Sequence, residues 1–446
     1  MVFRALITER AKVLDRGLTI KEQKKKILVV CQHFWPEAFR INDICDYLVE
    51  SDCEIEVLCG IPNYPQGKFF EGYSYLKNRR QEHQGMHIRR AFEIPRGSNT
   101  NIRIFLNYVS FPLSSLSHIP RLLTKKYDKI FLYQLSPVMM SLAGIIVGRV
   151  KKIETTMYVL DLWPENLYSV IEVKNRFLRN LARSVSRWHY RKVDKIATIS
   201  QKMKEQMHVI TGLPDEKIIF VPQCCEKLYE KDIHDDELSR KYGTGFNIVF
   251  AGNISPAQSF ETVVDAAKQL KRNGIDDIHW IIVGDGMSRK WLEDTVRTEG
   301  LKENFSFEGF IPVTEIPKFH TVADALLACL VKSDLLECTI PAKVMSYFAA
   351  GRPMLLAMDG EAQRLVKDIG CGFACGSGDS TTLYENIMTL YHTPRDQREL
   401  MGERGREYHF KHFERDANME KLHRFLFDEE GTSASVEPVL HGPAEE

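Results

Sequence analysis

Long apolar runs are missing from this chain. No segment of its 446 residues reaches the roughly 18–20 apolar residues that a membrane-spanning helix needs. The nearest, residues 138–148, contains Ser141 and Gly144 and is ended by Arg149 just before Lys151-Lys152, so it reads as a buried helix of a parallel-sheet domain. Net charge is missing too. Sixty basic residues balance sixty acidic ones, which removes any global electrostatic case for nucleic acid. Paired cysteines are absent. Cys224-Cys225 is vicinal and Cys371 and Cys375 are four apart, but neither pair meets a second Cys or His cluster, so neither a zinc site nor any other metal site is expected. Charge from Arg4 onward leaves no export signal to expect, and with free thiols this indicates the cytoplasm. The dinucleotide fingerprint is missing as well. Gly284-Asp285-Gly286 is followed by Arg289 where Gly-x-Gly-x-x-Gly needs its third glycine, which counts against NAD, and no cofactor is expected.

What is present is one arrangement repeated four times between Phe246 and Asp368. A short apolar strand ends in a glycine or polar loop, and a helix opens after it. Asn247-Ile248-Val249-Phe250-Ala251 runs into Gly252-Asn253 and a helix from Ser259, and Trp280-Ile281-Ile282-Val283 runs into Gly284-Asp285-Gly286 and a helix from Arg289. Ala325-Leu326-Leu327-Ala328-Cys329 precedes a helix from Lys343, and Pro353-Met354-Leu355-Leu356-Ala357 precedes one from Glu361. Such alternation predicts a parallel sheet with helices on both faces.

The first half repeats the theme. Ile27-Leu28-Val29-Val30-Cys31, a helix over 42–51 and Ile55-Glu56-Val57-Leu58-Cys59 form a βαβ unit, and further strands are expected at 130–133, 156–160, 195–199 and 218–221. The fold class is therefore α/β, with two Rossmann-like domains whose strand ends face a shared cleft. The expected divisions are an N-terminal extension at 1–24, an acceptor-side domain at 25–222, a linker at 223–245 and a nucleotide-binding domain at 246–412. A C-terminal helix at 413–428, placed to cross back to the first domain, and a disordered tail at 429–446 complete the chain.

Several residues at strand ends suit chemistry. Gly252 and Asn253, with the helix amides after them, suit a diphosphate, and Ser259 is the expected N-cap. Gly284, Asp285 and Gly286 form a second such turn. Lys343 opens a helix, against the helix dipole unless an anion sits there. In Asp161-Leu162-Trp163-Pro164-Glu165, Asp161 and Glu165 can accept hydroxyl hydrogen bonds and Trp163 can offer an apolar face to a sugar. The bland reading is a proline-terminated strand with a packed tryptophan. Gln32-His33-Phe34-Trp35-Pro36-Glu37 is similar, with His33 either structural or acceptor-facing. Residues 174–192 carry no acid, and Arg179, Arg183, Arg187 and Arg191 recur every four residues on one helical face. Such like charges repel unless an anionic partner, most simply a membrane surface, offsets them; a solvated helix face is the alternative. The amphipathic stretch 102–123 adds apolar residues for insertion.

Taken together, these motifs, with Arg40-Ile41-Asn42-Asp43, Gly60-Ile61-Pro62-Asn63-Tyr64-Pro65-Gln66-Gly67 and Ala349-Ala350-Gly351-Arg352-Pro353, resemble glycosyltransferases of family 4, which have the GT-B fold. The likeness covers residues 26–412 and is greatest to the branch that builds capsule and O-antigen polysaccharides, including fucosamine transferases. It implies a nucleotide-sugar donor, UDP-sugar favoured, in the C-terminal domain and a lipid-linked saccharide acceptor in the N-terminal domain. It also implies retention without a metal, at the inner face of the cell membrane. Asp161 and Lys343 become the catalytic candidates, Gly252, Asn253, Gly284, Asp285, Gly286 and Glu361 the donor side, and His33, Glu37, Arg40, Trp163 and Glu165 the acceptor side. Two departures stand out. Cys338 and Ser346 occupy the places of a carboxylate pair, for which Glu337 and Glu361 are nearby substitutes, and Glu37-Ala38-Phe39 replaces a Gly-Gly pair. A UDP-sugar 2-epimerase on the same fold, and a catalytically silent membrane-associated binding protein, are the alternatives.

Overall fold

The computed structural model describes residues 24–64, 66–97, 101–165, 175–333 and 339–428. The expected tail, nearly all of the extension, Lys174, Glu337 and Cys338 lie outside them.

The first sheet is built from β1 (Lys25–Val30), β2 (Cys53–Cys59), β3 (Arg80–His83), β4 (Met86–Arg90), β5 (Lys129–Gln134), β6 (Thr155–Val159), β7 (Lys195–Thr198) and β8 (Ile218–Phe220). Its order is β3-β4-β2-β1-β5-β6-β7-β8, and β3 alone runs antiparallel to its neighbour. The second sheet holds β9 (Phe246–Ala251), β10 (Ile278–Val283), β11 (Phe305–Gly309), β12 (Ala325–Cys329), β13 (Met354–Ala357) and β14 (Gly372–Cys375), in the order β11-β10-β9-β12-β13-β14 and wholly parallel. These are the two parallel-sheet α/β domains that the strand–helix alternation predicts. The physical cause is plain in β1, where Ile27, Leu28, Val29 and Val30 are all fully buried, because a parallel strand covered on both faces has no side to leave polar.

The helices that position the site are α1 (Arg40–Glu50), α2 (Asn101–Ser115), α3 (Arg176–Arg191), α4 (Gln201–Thr211), α5 (Phe260–Arg272), α6 (Ala342–Ala350), α7 (Glu361–Ile369), α8 (Arg395–Tyr408) and α9 (Arg415–Phe427). Residues 138–148 form a short turn and the start of the helix Leu142–Lys151, with Ala143, Gly144, Ile145 and Val147 buried against the first sheet. Among the described residues no helix is long and apolar enough to cross a membrane.

The last helix belongs to the first domain's core. Leu422, Phe425 and Leu426 on α9 pack with β1, β6 and β7 residues. Arg415 grips the Asp43 carboxylate of α1 from Nε at 3.0 Å to each oxygen, and Tyr47 donates to Glu420 at 2.8 Å. The buried Lys195 donates to the Phe425 carbonyl at 2.8 Å and also meets Asp428.

Candidate functional site

The C-terminal wall of the cleft is centred on Lys343. Pro341 starts α6 by fixing φ without needing an N–H partner, and Gly351 ends it with φ of +64°. Tyr347 ties the helix down by donating to Leu327 O at 3.0 Å and accepting from Ala251 N at 3.2 Å. Lys343 Nζ consequently lies 3.7 Å from the Phe250 ring centroid and donates to Gln258 Oε1 at 2.6 Å. A Cβ at position 252 would come within 3.0 Å of that nitrogen, and φ there is +150°, so glycine is what lets the ammonium reach the loop. Burial pushes the Lys343 ammonium down to about 7, only partly opposed by the Cys329 thiol. An anion delivered to this nitrogen recovers the charge that burial disfavours.

Around Lys343 the loops differ from the sequence expectation in detail. The Gly252 amide is already bonded to Val283 O at 2.9 Å, and Ile254 N to Asp285 O at 2.9 Å. Gly252 therefore supplies room for the lysine, and its N–H is not open to a diphosphate. Gly284 and Gly286 press against the same loop: a Cβ at 284 would sit 1.9 Å from Gly252 O, and one at 286 would sit 2.5 Å from Asn253 Oδ1. Asp285 accepts from the Gly286 amide at 2.7 Å and faces Arg289 at 3.6 Å, so its carboxylate closes its own turn. Ser259 does not cap α5. Its backbone is left-handed, and its hydroxyl pairs with Thr262 Oγ1 at 2.9 Å.

The N-terminal wall is organised by Glu37. Its Oε1 accepts from Asn63 N at 2.8 Å and Tyr64 N at 2.7 Å, and its Oε2 meets His33 Nδ1 at 3.0 Å. Glu37 is 2% exposed, and with both oxygens engaged it holds the loop after β2 and orients His33. His33 stacks on Phe39, with ring centroids 4.8 Å apart. Asp161 sits at the open end of β6, its Oδ2 accepting from Ser136 N at 2.9 Å. Trp163 is a core residue. It is 5% exposed, and its amide meets the Tyr190 hydroxyl at 3.1 Å, so it presents no face to a sugar. Glu165 is exposed at the edge of the described segment. Arg40 donates to Glu226 at 2.8 Å.

The sequence reading missed a buried polar network behind His33. Gln32 Nε2 and Asn107 Nδ2 both donate to Glu93 Oε1 at 2.7 Å, and burial pushes the Glu93 carboxyl up to about 6. Asn107 Oδ1 also accepts from Arg96 Nε at 3.2 Å, and the Arg96 guanidinium lies 5.5 Å from the ring centroids of both Tyr64 and Tyr108. A polar residue after β1 and a Glu just past β4 were the available signals, since both are strand-end positions.

Glu361 is placed elsewhere. It helps line a cavity of about 560 Å³ between α4, α7 and the α8–α9 junction, a cavity to which Lys343 does not contribute. Burial pushes the Glu361 carboxyl up, opposed by the Gln201 and Lys202 amides and by the charge of Arg364. It thus links the two domains beside that cavity. The α3 arginines Arg179, Arg183, Arg187 and Arg191 are exposed, with Phe177, Leu178 and Leu181 exposed beside them. On α2, Ile102, Phe105 and Leu113 are exposed as well. Arg191 also donates to Ile210 O at 2.9 Å. Among the described residues no His, Cys, Asp and Glu are grouped to hold a metal ion.

Residues 233–408 match the family described as Glycosyl transferases group 1. The chain is 24% identical over 340 residues to the protein of Escherichia coli K12 described as a colanic acid biosynthesis glycosyl transferase, WcaI, spanning 73% of this chain and 81% of that one. Sucrose-phosphate synthase from Thermosynechococcus elongatus superposes with a TM-score of 0.68 at 14% identity, over 91% of this chain and all but 1% of the other. HepE of Anabaena, solved in complex with UDP, superposes at 0.67 with 15% identity, over 91% of this chain and 100% of its own. The chain thus shares with these solved structures the GT-B arrangement of two parallel-sheet α/β domains.

Proposed function

We propose that this chain is a glycosyltransferase that moves a sugar from a nucleotide-sugar donor, UDP-sugar favoured, to a lipid-linked saccharide acceptor during cell-surface polysaccharide assembly of the capsule or O-antigen kind. Transfer retains the anomeric configuration, needs no metal, and takes place with the enzyme resting on the inner face of the cell membrane. The observation that carries the reading is Lys343, a desolvated ammonium held by Phe250 and Gln258 against the Gly252 turn, at the open end of the second sheet. Charge develops on the leaving diphosphate as the glycosidic bond to the donor breaks. A cation fixed beforehand in a poorly solvated site stabilises that charge with little reorganisation. Asp161, across the cleft and anchored by the Ser136 amide, orients sugar or acceptor hydroxyls. Closure of the cleft shields the donor from water. The UDP bound by HepE and the colanic acid role named for WcaI support the donor and pathway class. The exposed arginines and apolar side chains of α3 support the membrane placement.

UDP should raise the melting temperature of the wild-type protein, and Lys343→Met should remove most of that shift. Transfer from a UDP-sugar to a lipid-diphosphate saccharide should persist in EDTA. Strict dependence on a divalent ion would overturn the metal-free reading, and no stabilisation by UDP or GDP would overturn the donor site.

A further inference from the structure

We propose that Arg96 forms an anion subsite on the acceptor side of the cleft, and that it reads the diphosphate of a lipid-linked acceptor. The inference rests on the acceptor class just given and deepens it by naming the side chain that reads the lipid diphosphate.

Arg96 is a half-buried residue in the loop after β4, and it is clamped. Its Nε donates to Asn107 Oδ1 at 3.2 Å, and two tyrosine rings, Tyr64 and Tyr108, lie at 5.5 Å. Asn107 is fully buried and fixed in turn, donating to Glu93 Oε1 at 2.7 Å and to Ile94 O at 2.8 Å. The loop itself is laced to its surroundings through Ile94 N to Ser110 Oγ at 2.9 Å and Gly97 N to Gly67 O at 2.9 Å. Among the described residues, the two terminal nitrogens of Arg96 meet no acceptor and no carboxylate pairs with it. A flexible surface arginine spends its rotamer freedom in water; this one has already lost much of it. What remains is a preorganised pair of N–H groups, the fork that matches phosphate oxygens in two parallel hydrogen bonds. Its place is the acceptor wall. Burial pushes the Tyr108 hydroxyl up, Arg96 pulls it back and Asp161 adds to the rise, so Tyr108 stands within reach of both charges. An anion held by Arg96 therefore sits on the same wall as His33, whose partner Glu37 also holds the amide of Tyr64.

The test uses farnesyl diphosphate and farnesol as probes, titrated calorimetrically into the full chain in saturating UDP so that the donor side is filled. Wild type should bind the diphosphate more than about tenfold tighter than the alcohol. Arg96→Gln should lose most of that preference with an unchanged melting temperature, and Arg96→Lys, which keeps charge but not the fork, should fall between. Raising UDP further should leave the preference unchanged, because the donor side is already filled. The proposal is overturned if Arg96→Gln discriminates as wild type does, if wild type shows no preference, or if added UDP competes the probe away, which would place the probe in the donor site. The UDP thermal shift is read separately, so failure of the donor assignment is distinguishable from failure here.

Discussion

At the scale of single residues, Lys343 and Asp161 carry the sharpest expectations. Lys343 is depressed to about 7 in the folded chain by burial, against about 10.4 for a free lysine. Between those values the unfolded chain holds a proton that the folded site has lost. Stability without ligand should therefore rise with pH across that window, and Lys343→Met should remove this component. Donor affinity should run the other way. A diphosphate favours the charged lysine, so UDP binding measured by calorimetry should weaken above about pH 7, approaching tenfold per unit, and the variant should show a flatter profile. A pH-independent UDP affinity in wild type would remove Lys343 from the anion site. Asp161→Asn keeps shape and removes charge. We expect kcat to fall by about 10²-fold or more, the scale for a group acting on the transition state, with the fold intact. Near-normal turnover would assign Asp161 to holding the Ser136 amide.

At the scale of elements, α3 is the one whose chemistry its packing does not explain. Asn175 caps it by accepting from Phe177 N at 2.8 Å, so the helix is well started, yet its outer face carries arginines and exposed Phe177, Leu178 and Leu181. Replacing Arg179, Arg183, Arg187 and Arg191 with Gln should weaken binding to anionic vesicles, by on the order of 1 kcal/mol per residue near the surface. Arg191 should contribute least, because its guanidinium already serves Ile210 O. The effect should fade as the Debye length shrinks from about 10 Å at 0.1 M salt to about 3 Å at 1 M. Activity on a soluble acceptor analogue should survive. Unchanged vesicle binding would leave α3 a solvated face.

At the scale of the whole molecule, the two domains are joined by more than the linker. The chain leaves the second domain and returns to finish the core of the first through α9. A chain truncated before Arg415 loses the burial of Leu422, Phe425 and Leu426, the Arg415–Asp43 pair and two partners of Lys195, Phe425 O and Asp428. Burying one such side chain is worth about 1.5–3 kcal/mol, so the loss is comparable to the whole stability of an ordinary domain. The truncated chain should show an unfolded first domain by circular dichroism and hydrogen exchange. A cooperative, wild-type-like melt would contradict this account of α9.

The sequence by itself determined the two sheets and where many of their strands end. Buried parallel strands are written as unbroken apolar runs, and strand ends are marked by glycine and proline, so β1, β9 and β10 and the loops holding His33, Asp161 and Gly252 were legible. The β3–β4 hairpin was not, because Arg80-Gln81-Glu82-His83 is an exposed polar edge without period-two apolar alternation. Only the tertiary structure decided what each strand-end residue touches. Glu37 was drawn into backbone amides 26 and 27 residues away, Trp163 into the core, Arg40 to Glu226 and Glu361 to a cavity shared with α4. Arg96 gained its clamp from Tyr64, Asn107 and Tyr108. Local propensity and periodicity act within a few residues. A buried polar group, by contrast, takes whichever partner the fold brings within hydrogen-bond range, and that pairing is fixed only once the chain has closed on itself.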